Sequence, residues 1–362
     1  MAGRNGGRAE RCPAWRGLIT VTVSITAAAL SLGDACAGEV ATSPAPIETV
    51  SASHCANPAA LGTSRVLEVG TQGGPAVGLK SYPQTLRLSD HEVVLTFDDG
   101  PLPGPTGAVL DALARECVKA TFFLIGRNAA QHPALVRREV AEGHTVAHHS
   151  QSHPEATLRG LAPPEAERDL MRGIAAVEKA GWGADARPEA PHVPFFRFPG
   201  FADTPALRAF LASRNIAIFG ADVWASDWKP MTPEAQLDLL MTRLDAAGRG
   251  IVLLHDTRQQ TVAMLPRFLG ELKRRGYRVV HIVPGSGAAN TVPAPAGWTS
   301  ETEATVQRIL HQRSRSAAAK PAAVPPGGAA PSAGSAPTAS PGPAATAPSR
   351  PRPLPSSMPP SP

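Results

Sequence analysis

From residue 91 onward the chain alternates between short apolar runs rich in Val, Ile and Phe and longer amphipathic segments. Continuous apolar runs bounded by turn residues read as buried strands, and apolar positions recurring at a period near 3.6 read as helices. The pattern predicts strands at 93–97, 120–125, 145–148, 195–198, 216–221, 251–254 and 277–283. Between them it predicts helices at 106–117, 133–142, 163–180, 204–213, 232–247 and 259–275. Thr204-Pro205 and Thr232-Pro233 mark two of the helix starts, with a capping hydroxyl followed by a proline where the missing N–H costs little. Repeated strand–helix units imply an α/β fold with a parallel sheet and helices outside it. A closed or nearly closed barrel is the expected arrangement, and an open doubly wound sheet is the competitor.

The two ends read differently. Arg11 and Arg16 precede an apolar stretch over 18–32, and Ala35-Cys36-Ala37 follows as a small-x-small cleavage site. Residues 1–37 are therefore expected to be a secretory signal peptide. The stretch is short for a membrane span, which needs about 20 apolar residues, so no stable transmembrane anchor is expected after cleavage. The protein is expected to be exported, either periplasmic or secreted. Residues 38–90 are read as an N-terminal extension packing on a catalytic domain at 91–284. Residues 285–362 are dominated by Ala, Pro, Ser and Gly and read as a low-complexity, disordered tail. One stretch stands out there: Val306, Ile309 and Leu310 share a face if 300–313 is a short helix.

Charge and cysteines narrow the picture. Residues 38–284 carry 25 Lys and Arg against 26 Asp and Glu, so the +5 formal charge of the whole chain resides in its two ends. No basic nucleic-acid-binding face is expected. Of four cysteines, Cys55 and Cys117 lie beyond the signal segment, and there is no CxxC. A zinc–thiolate site is thereby excluded. In an exported protein these two thiols point to one disulfide; the alternative is that Cys117 is a core residue beside Val109, Leu110 and Leu113.

The candidate chemistry falls at the C-terminal ends of the predicted strands. Asp98-Asp99 follows the first, His149 and His153 follow 145–148, and Arg197 closes 195–198. Asp227-Trp228 follows 216–221, and His255 follows 251–254. Strand ends of this polarity converge on one mouth of a βα barrel. Adjacent residues on an extended chain point to opposite sides, so Asp98 and Asp99 are expected to do different jobs, though the residues alone do not say which. His149 and His153, four apart, are expected on a helical turn with both rings on one face. Two imidazoles and one carboxylate suit a divalent metal with an open position. Zn²⁺ is the expected ion, with Co²⁺ or Ni²⁺ also compatible.

Taken in order, Thr96-Phe97-Asp98-Asp99-Gly100-Pro101, His149-Ser150-Gln151-Ser152-His153-Pro154, Arg197-Phe198-Pro199, Asp227-Trp228 and Leu253-Leu254-His255-Asp256 resemble the polysaccharide deacetylase family. This is the carbohydrate esterase group that includes the rhizobial chitooligosaccharide deacetylases, and the resemblance covers about residues 91–284. It implies a distorted (β/α) barrel of seven or eight strands and metal-dependent removal of acetyl groups from N-acetylated glycans. It further implies that Asp98 is the general base, and that Asp99, His149 and His153 are the metal ligands. Arg197 would pair with Asp98, Asp227 would orient His255 as general acid, and the Gly200 N–H would stabilise the oxyanion. Trp228 and Leu253 would wall the acetyl pocket.

Two departures stand out. The family's Arg-x-Pro-Tyr-Gly is Arg197-Phe198-Pro199-Gly200-Phe201 here, and Trp224 stands where an Asp often lies three residues before Asp227. They put the shape of the substrate groove and the local alignment in question. The expected partner is an acetylated polysaccharide such as a chitin oligomer, peptidoglycan or poly-N-acetylglucosamine, acted on by a monomer. The competing readings are an O-acetyl esterase on xylan or another glycan, a non-catalytic glycan-binding module, and an envelope protein whose function lies in the Pro-rich tail. Because every candidate chemical residue lies between 98 and 255, removing 1–37 and 290–362 is expected to leave an active enzyme.

Overall fold

The computed structural model describes residues 55, 57–154 and 157–318. The predicted signal peptide and the tail beyond Ala318 lie outside these residues. In chain order the strands and helices are β1 (Thr63–Gly70), β2 (Ala76–Val77), β3 (Gln84–Leu86), β4 (Glu92–Asp98), α1 (Pro105–Arg115), β5 (Thr121–Leu124), α2 (Gly126–Gln131), α3 (Pro133–Ala141), β6 (Thr145–His148), α4 (Pro163–Trp182) and β7 (Phe195–Phe196). They continue with α5 (Pro205–Ala212), β8 (Ala217–Phe219), β9 (Val223–Trp224), α6 (Pro233–Ala247), β10 (Gly250–His255), α7 (Gln259–Arg274), β11 (Arg278–Gly285), β12 (Thr291–Pro293) and α8 (Glu301–Ala318).

The main sheet is parallel throughout its pairings. β4 pairs with β5, β5 with β6, β6 with β7 and β7 with β8. β9 follows β8 after a three-residue bend and pairs with β10, which returns to β4. The circuit is a distorted α/β barrel, as the alternating pattern led one to expect. β4 shows how the sequence builds it. All seven of its residues are buried. Val93, Leu95 and Phe97 face outward into a cluster with Leu110 of α1, Leu240 of α6 and Phe268 of α7. Val94 faces inward among Phe123, Phe195, Phe219 and Ile251. Thr96 and Asp98, on Val94's face by the period of two, bring polar chemistry into the barrel above that apolar floor.

The domain boundaries at 91 and 284 prove too narrow. β1 pairs along its whole length with β11, and β2 pairs with β8, so residues the sequence assigned to an extension are part of the sheet. β1 alternates exposed and partly buried positions along most of its length, a weaker apolar signal than the runs at 93–97 or 251–254. At the other end β12 pairs with β3, and α8 docks against the 3-10 turn Pro199–Phe201. Val306 of α8 is fully buried, and Trp298 Nε1 donates to the Leu79 carbonyl at 2.6 Å. Order therefore extends well into the segment read as a tail. Cys55 and Cys117 form a disulfide with Cα atoms 5.7 Å apart, tying the start of the described chain to the residues after α1.

Candidate active site

Five strand ends deliver their side chains to one mouth. Asp98 ends β4 and pairs in register with His255, which ends β10. His149 directly follows β6, Arg197 follows β7, and Asp227 follows β9 by three residues. The sequence had derived Asp227 from a strand ending at 221; the bend over 220–222 splits that strand and makes β9 its carrier.

The paired carboxylates separate as their alternating directions require. Asp98 Oδ1 accepts a hydrogen bond from Arg197 Nη1 at 2.6 Å, and its Oδ2 lies 3.8 Å from His149 Nε2. Arg197 is wholly buried, and its guanidinium also donates to Thr96 Oγ1, the Phe219 carbonyl and the Gly220 carbonyl. The guanidinium carbon stands 4.2 Å from the centre of the Phe123 ring. A fully buried cation is tolerated only when so completely satisfied, and truncating one partner of such a pair costs about 3–5 kcal/mol. Arg197 therefore fixes one oxygen of Asp98 and leaves the other facing the mouth.

Asp99 turns away, with φ at 78°. Its Oδ1 lies 3.6 Å from His149 Nε2 and 3.6 Å from His153 Nε2. That oxygen is buried and has no hydrogen-bond partner. His149 Nδ1 is 2.7 Å from the Arg197 carbonyl, so it carries the proton and Nε2 presents its lone pair to the same space. Burial, opposed by the nearby Asp98 and Asp99 carboxylates, drives the His149 imidazole down to about 4, which keeps it neutral and able to ligate. The ligand atoms of Asp99, His149 and His153 all lie within 4.8 Å of one another. An orphaned buried carboxylate oxygen converging with an oriented neutral imidazole and a second imidazole fits a divalent cation.

The two histidines do not share a helical turn. Residues 149–153 form an irregular loop, with Ser150 at φ 66° and His153 at φ 45°. The rings still meet, with centroids 5.2 Å apart. The loop is braced by Asp169 of α4, which accepts from the Gln151 and Ser152 amides at 3.0 and 3.3 Å and from the Ser152 hydroxyl at 2.6 Å. Gly173 of α4 permits this approach: a Cβ there would stand 2.3 Å from the Ser150 carbonyl carbon. The spacing brings the two rings together, but on a loop rather than on the helical turn it suggested.

On the opposite side of the mouth, Asp227 grips His255 twice. Its Oδ1 lies 2.8 Å from His255 Nδ1, and its Oδ2 accepts from the His255 amide at 2.7 Å and from Thr261 Oγ1 at 2.8 Å. Burial alone would discourage a charged imidazole, but the Asp227 carboxylate, with Asp99 and Asp98 behind it, raises His255 to about 9. Nε2 is left facing the mouth with an exchangeable proton. Thr261 carries no sequence signal; a lone Thr early in a helix is found only by the contact it makes.

Leu253 is buried on the same inward face of β10 as His255, and Trp228 is 42% exposed at the rim with its ring 6.0 Å from that of His255. Gly200 sits in the Pro199–Phe201 turn at φ 60°, on the exposed lip. Sequence reasoning missed Asp222, whose carboxylate accepts from the Leu79 and Ile251 amides and from Thr85 Oγ1, stapling the bend between β8 and β9. It also missed Asp256, fully buried and bonded by Thr106 Oγ1, which holds the loop after Asp99 against β10. Burial pushes Asp256 up to about 7.

A family model described as polysaccharide deacetylase matches residues 86–211. The chitooligosaccharide deacetylase of Bradyrhizobium sp. (strain ANU 289) is 35% identical over 210 residues, spanning 54% of this chain and 90% of that protein. The peptidoglycan-N-acetylglucosamine deacetylase PgdA of Listeria monocytogenes is 33% identical over 195 residues, spanning 54% of this chain and only 38% of the relative's length. Among solved structures, the Bdellovibrio bacteriovorus peptidoglycan deacetylase Bd3279 superposes with a TM-score of 0.53 at 30% identity, covering 61% of this chain and 59% of that one. With likeness reaching across nearly the whole length of the rhizobial relative, on a barrel of this shape, the chain belongs to the polysaccharide deacetylase family.

Proposed function

We propose that this protein is a metal-dependent hydrolase that removes N-acetyl groups from a glycan of N-acetylglucosamine type and releases acetate. The observation that carries the reading is the division of labour between two adjacent carboxylates. Asp99 faces two imidazoles, while Asp98 is held by Arg197 with one oxygen turned toward the same space. His255, held by Asp227, faces them across the mouth.

Asp99, His149 and His153 would hold the cation, proposed to be zinc, which when bound supplies Lewis acidity toward the acetyl carbonyl. Asp98 Oδ2 accepts a proton from the attacking water as its oxygen forms a bond to the carbonyl carbon. The Gly200 N–H donates to the oxygen that gains negative charge. When the carbon–nitrogen bond breaks, His255 delivers its Nε2 proton to the departing nitrogen, which leaves as the sugar amine. Asp227 and Arg197 act as positioning residues: they set the direction and charge of His255 and Asp98 without touching substrate. Leu253 and Trp228 bound the space for the acetyl methyl group.

An exported, single-chain enzyme is part of the same proposal. The Cys55–Cys117 disulfide supports an oxidising compartment, and all the proposed groups come from one chain. Among the described residues no helix is long and apolar enough to cross a membrane.

The test is acetate release from N-acetylglucosamine oligomers, peptidoglycan and acetylxylan, after chelation and again with metal restored. Release from the amide-bearing glycans that stops on chelation and returns with zinc is expected. Release from acetylxylan alone would replace the amidase reading with an ester one, and no release from any would leave a glycan-binding module.

A further inference from the structure

An open cleft of about 400 Å³ lies outside the mouth, lined by Arg159, Asp203, Arg208 and Glu303, with the uncharged Thr204 and Pro205 beside them. No step of the proposed reaction uses it. It adjoins the lip that carries Gly200 on both flanks. A Cβ at Gly200 would lie 3.6 Å from Thr157 Cγ2, and Arg159 follows two residues later in the 3-10 turn Leu158–Gly160. On the other flank the Asp203 amide donates to the Phe201 carbonyl at 3.1 Å. The wall of the cleft and the lip of the mouth are thus made by the same two turns.

Asp203 is the fixed anion of the cleft. Its buried carboxylate accepts from Tyr82 Oη at 2.8 Å and from Arg208 Nη1 at 2.6 Å. Arg159 Nη2 stands 3.8 Å from the same oxygen that Arg208 holds, so two guanidiniums flank one permanent carboxylate. The second negative charge comes from Glu303 of α8, whose two oxygens accept from Arg159 Nη1 and Nη2 at 2.9 Å each. The two partners are held unequally. The Arg159 side chain is 17% exposed and its Nε donates to the Asp203 carbonyl at 2.7 Å, which anchors the fork independently of Glu303. Glu303 is 49% exposed, and its one other side-chain partner is Gln307 of its own helix. Exposed ion pairs of this kind hold weakly. The helix itself does not depend on the pair: Val306 is fully buried, and the Thr302 amide donates to the Lys80 carbonyl at 3.1 Å. With the Glu303 carboxylate swung out, the cleft would keep two cations against one anion.

We propose that this cleft binds a carboxylate borne by the glycan, of the lactyl-ether type found in peptidoglycan, and that Glu303 is an intramolecular stand-in which the substrate's carboxylate displaces. A planar guanidinium fork matches a carboxylate with two parallel bonds, and a carboxylate already occupies this one. The proposal rests on the deacetylase reading and extends it to the charge of the glycan. The preferred substrate carries an acid close to the acetamide being cleaved, and α8 sets the threshold for admitting it. A neutral N-acetylglucosamine chain leaves Glu303 in place.

The experiment measures dissociation constants by calorimetry, and KM for acetate release, for wild type, Glu303→Gln, Arg159→Gln and Arg159→Lys in the full chain. The ligands are a lactyl-bearing tetrasaccharide from peptidoglycan, the same tetrasaccharide with its carboxyl groups converted to primary amides, and the neutral N-acetylglucosamine tetramer. Glu303→Gln is expected to tighten the lactyl-bearing ligand about fivefold, because a competing carboxylate is gone, and to leave the other two unchanged. A gain of affinity cannot come from a damaged fold. Arg159→Gln should weaken the lactyl-bearing ligand about tenfold, the loss of a charge-assisted fork, and affect it more than the other two. Arg159→Lys should recover only part of that loss, since a point charge lacks the fork. Unchanged or weaker binding of the lactyl-bearing ligand in Glu303→Gln would make Glu303 a staple and overturn the site. Equal changes on all three ligands, or a wild type that prefers the amidated tetrasaccharide, would overturn it too. If wild type releases no acetate from any glycan, the deacetylase reading fails by itself, and the dissociation constants still decide the cleft by the same outcomes.

Discussion

The two sides of the mouth are built from different materials. On one side, Asp98, Asp99, His149 and Arg197 come from the ends of the barrel strands β4, β6 and β7, with Asp98 and His149 both bonded to Arg197. On the other, Phe201, Trp224, Trp228 and Lys80 come from turns, a two-residue strand and the segment before β3, braced by a helix from far along the chain. The first side has little room to vary, because a buried cation and an orphaned carboxylate oxygen penalise every substitution. The second is apolar and partly exposed, so its residues can change without unsatisfied charge. The proposed chemistry draws on the first side, and the second is the part of the mouth freer to vary.

The largest effect should come from the rigid side. His149→Ala or His153→Ala is expected to abolish both bound metal and activity, measured by elemental analysis and acetate release, since two ligands make an inadequate site. Full metal content in either variant would remove it from the ligand set.

Next is the acid. His255→Ala is expected to cost about 10²–10⁴ in rate on amide substrates and much less on an aryl acetate, whose leaving group needs no proton. The sign of the pH dependence follows from the raised imidazole. His255 stays protonated below its pKa of about 9, so activity should persist through neutral pH and fall as the pH rises toward that value. A cation at the neighbouring site opposes the imidazolium and draws that limb lower. Asp227→Asn removes the carboxylate that offsets burial, and should move the alkaline limb to lower pH by at least about one unit. A limb that stays in place in Asp227→Asn would detach it from His255.

The adaptable side predicts something smaller and more selective. The sequence alone made residues 290–362 dispensable. The structure instead docks Trp298 on the Leu79 carbonyl, the Thr302 amide on the Lys80 carbonyl, and Glu303 on Arg159 through two bonds of 2.9 Å. Truncation at residue 290 should therefore lower the melting temperature and raise KM for long oligomers severalfold, with a smaller effect on an aryl acetate. Equal KM values for full-length and truncated protein would separate α8 from the groove. The smallest effect on chemistry should come from Cys117→Ser, which opens the Cys55–Cys117 loop. It should cost about 2–5 kcal/mol of stability by denaturation, with kcat unchanged in the folded protein.

The same contrast explains what could be read from the chain. The barrel was legible because its inner strands are buried on both faces and read as unbroken apolar runs, as in Glu92–Asp98 and Gly250–His255. The polar side of the mouth was legible because strand ends fix where its residues go. β1 was not, since its alternation of exposed and partly buried positions carries no apolar run. The loop over 149–153 was misread as helical because spacing reports that two rings can meet but not the backbone that joins them. Trp224 and Phe201 were visible only as departures from a pattern. What they build depends on the bend over 220–222, on the turn at Pro199–Phe201 and on a helix about eighty residues downstream of Trp224, none of which is local in sequence.

The most direct test of the account is a paired measurement on Asp98→Asn and Asp99→Asn, taking metal content and acetate release from the N-acetylglucosamine tetramer beside wild type. Wild type should bind metal and release acetate, Asp98→Asn should keep the metal and release almost none, and Asp99→Asn should lose both. Metal retained in Asp99→Asn but lost from Asp98→Asn, or a fully metal-loaded wild type that frees no acetate from any acetylated glycan, would contradict it.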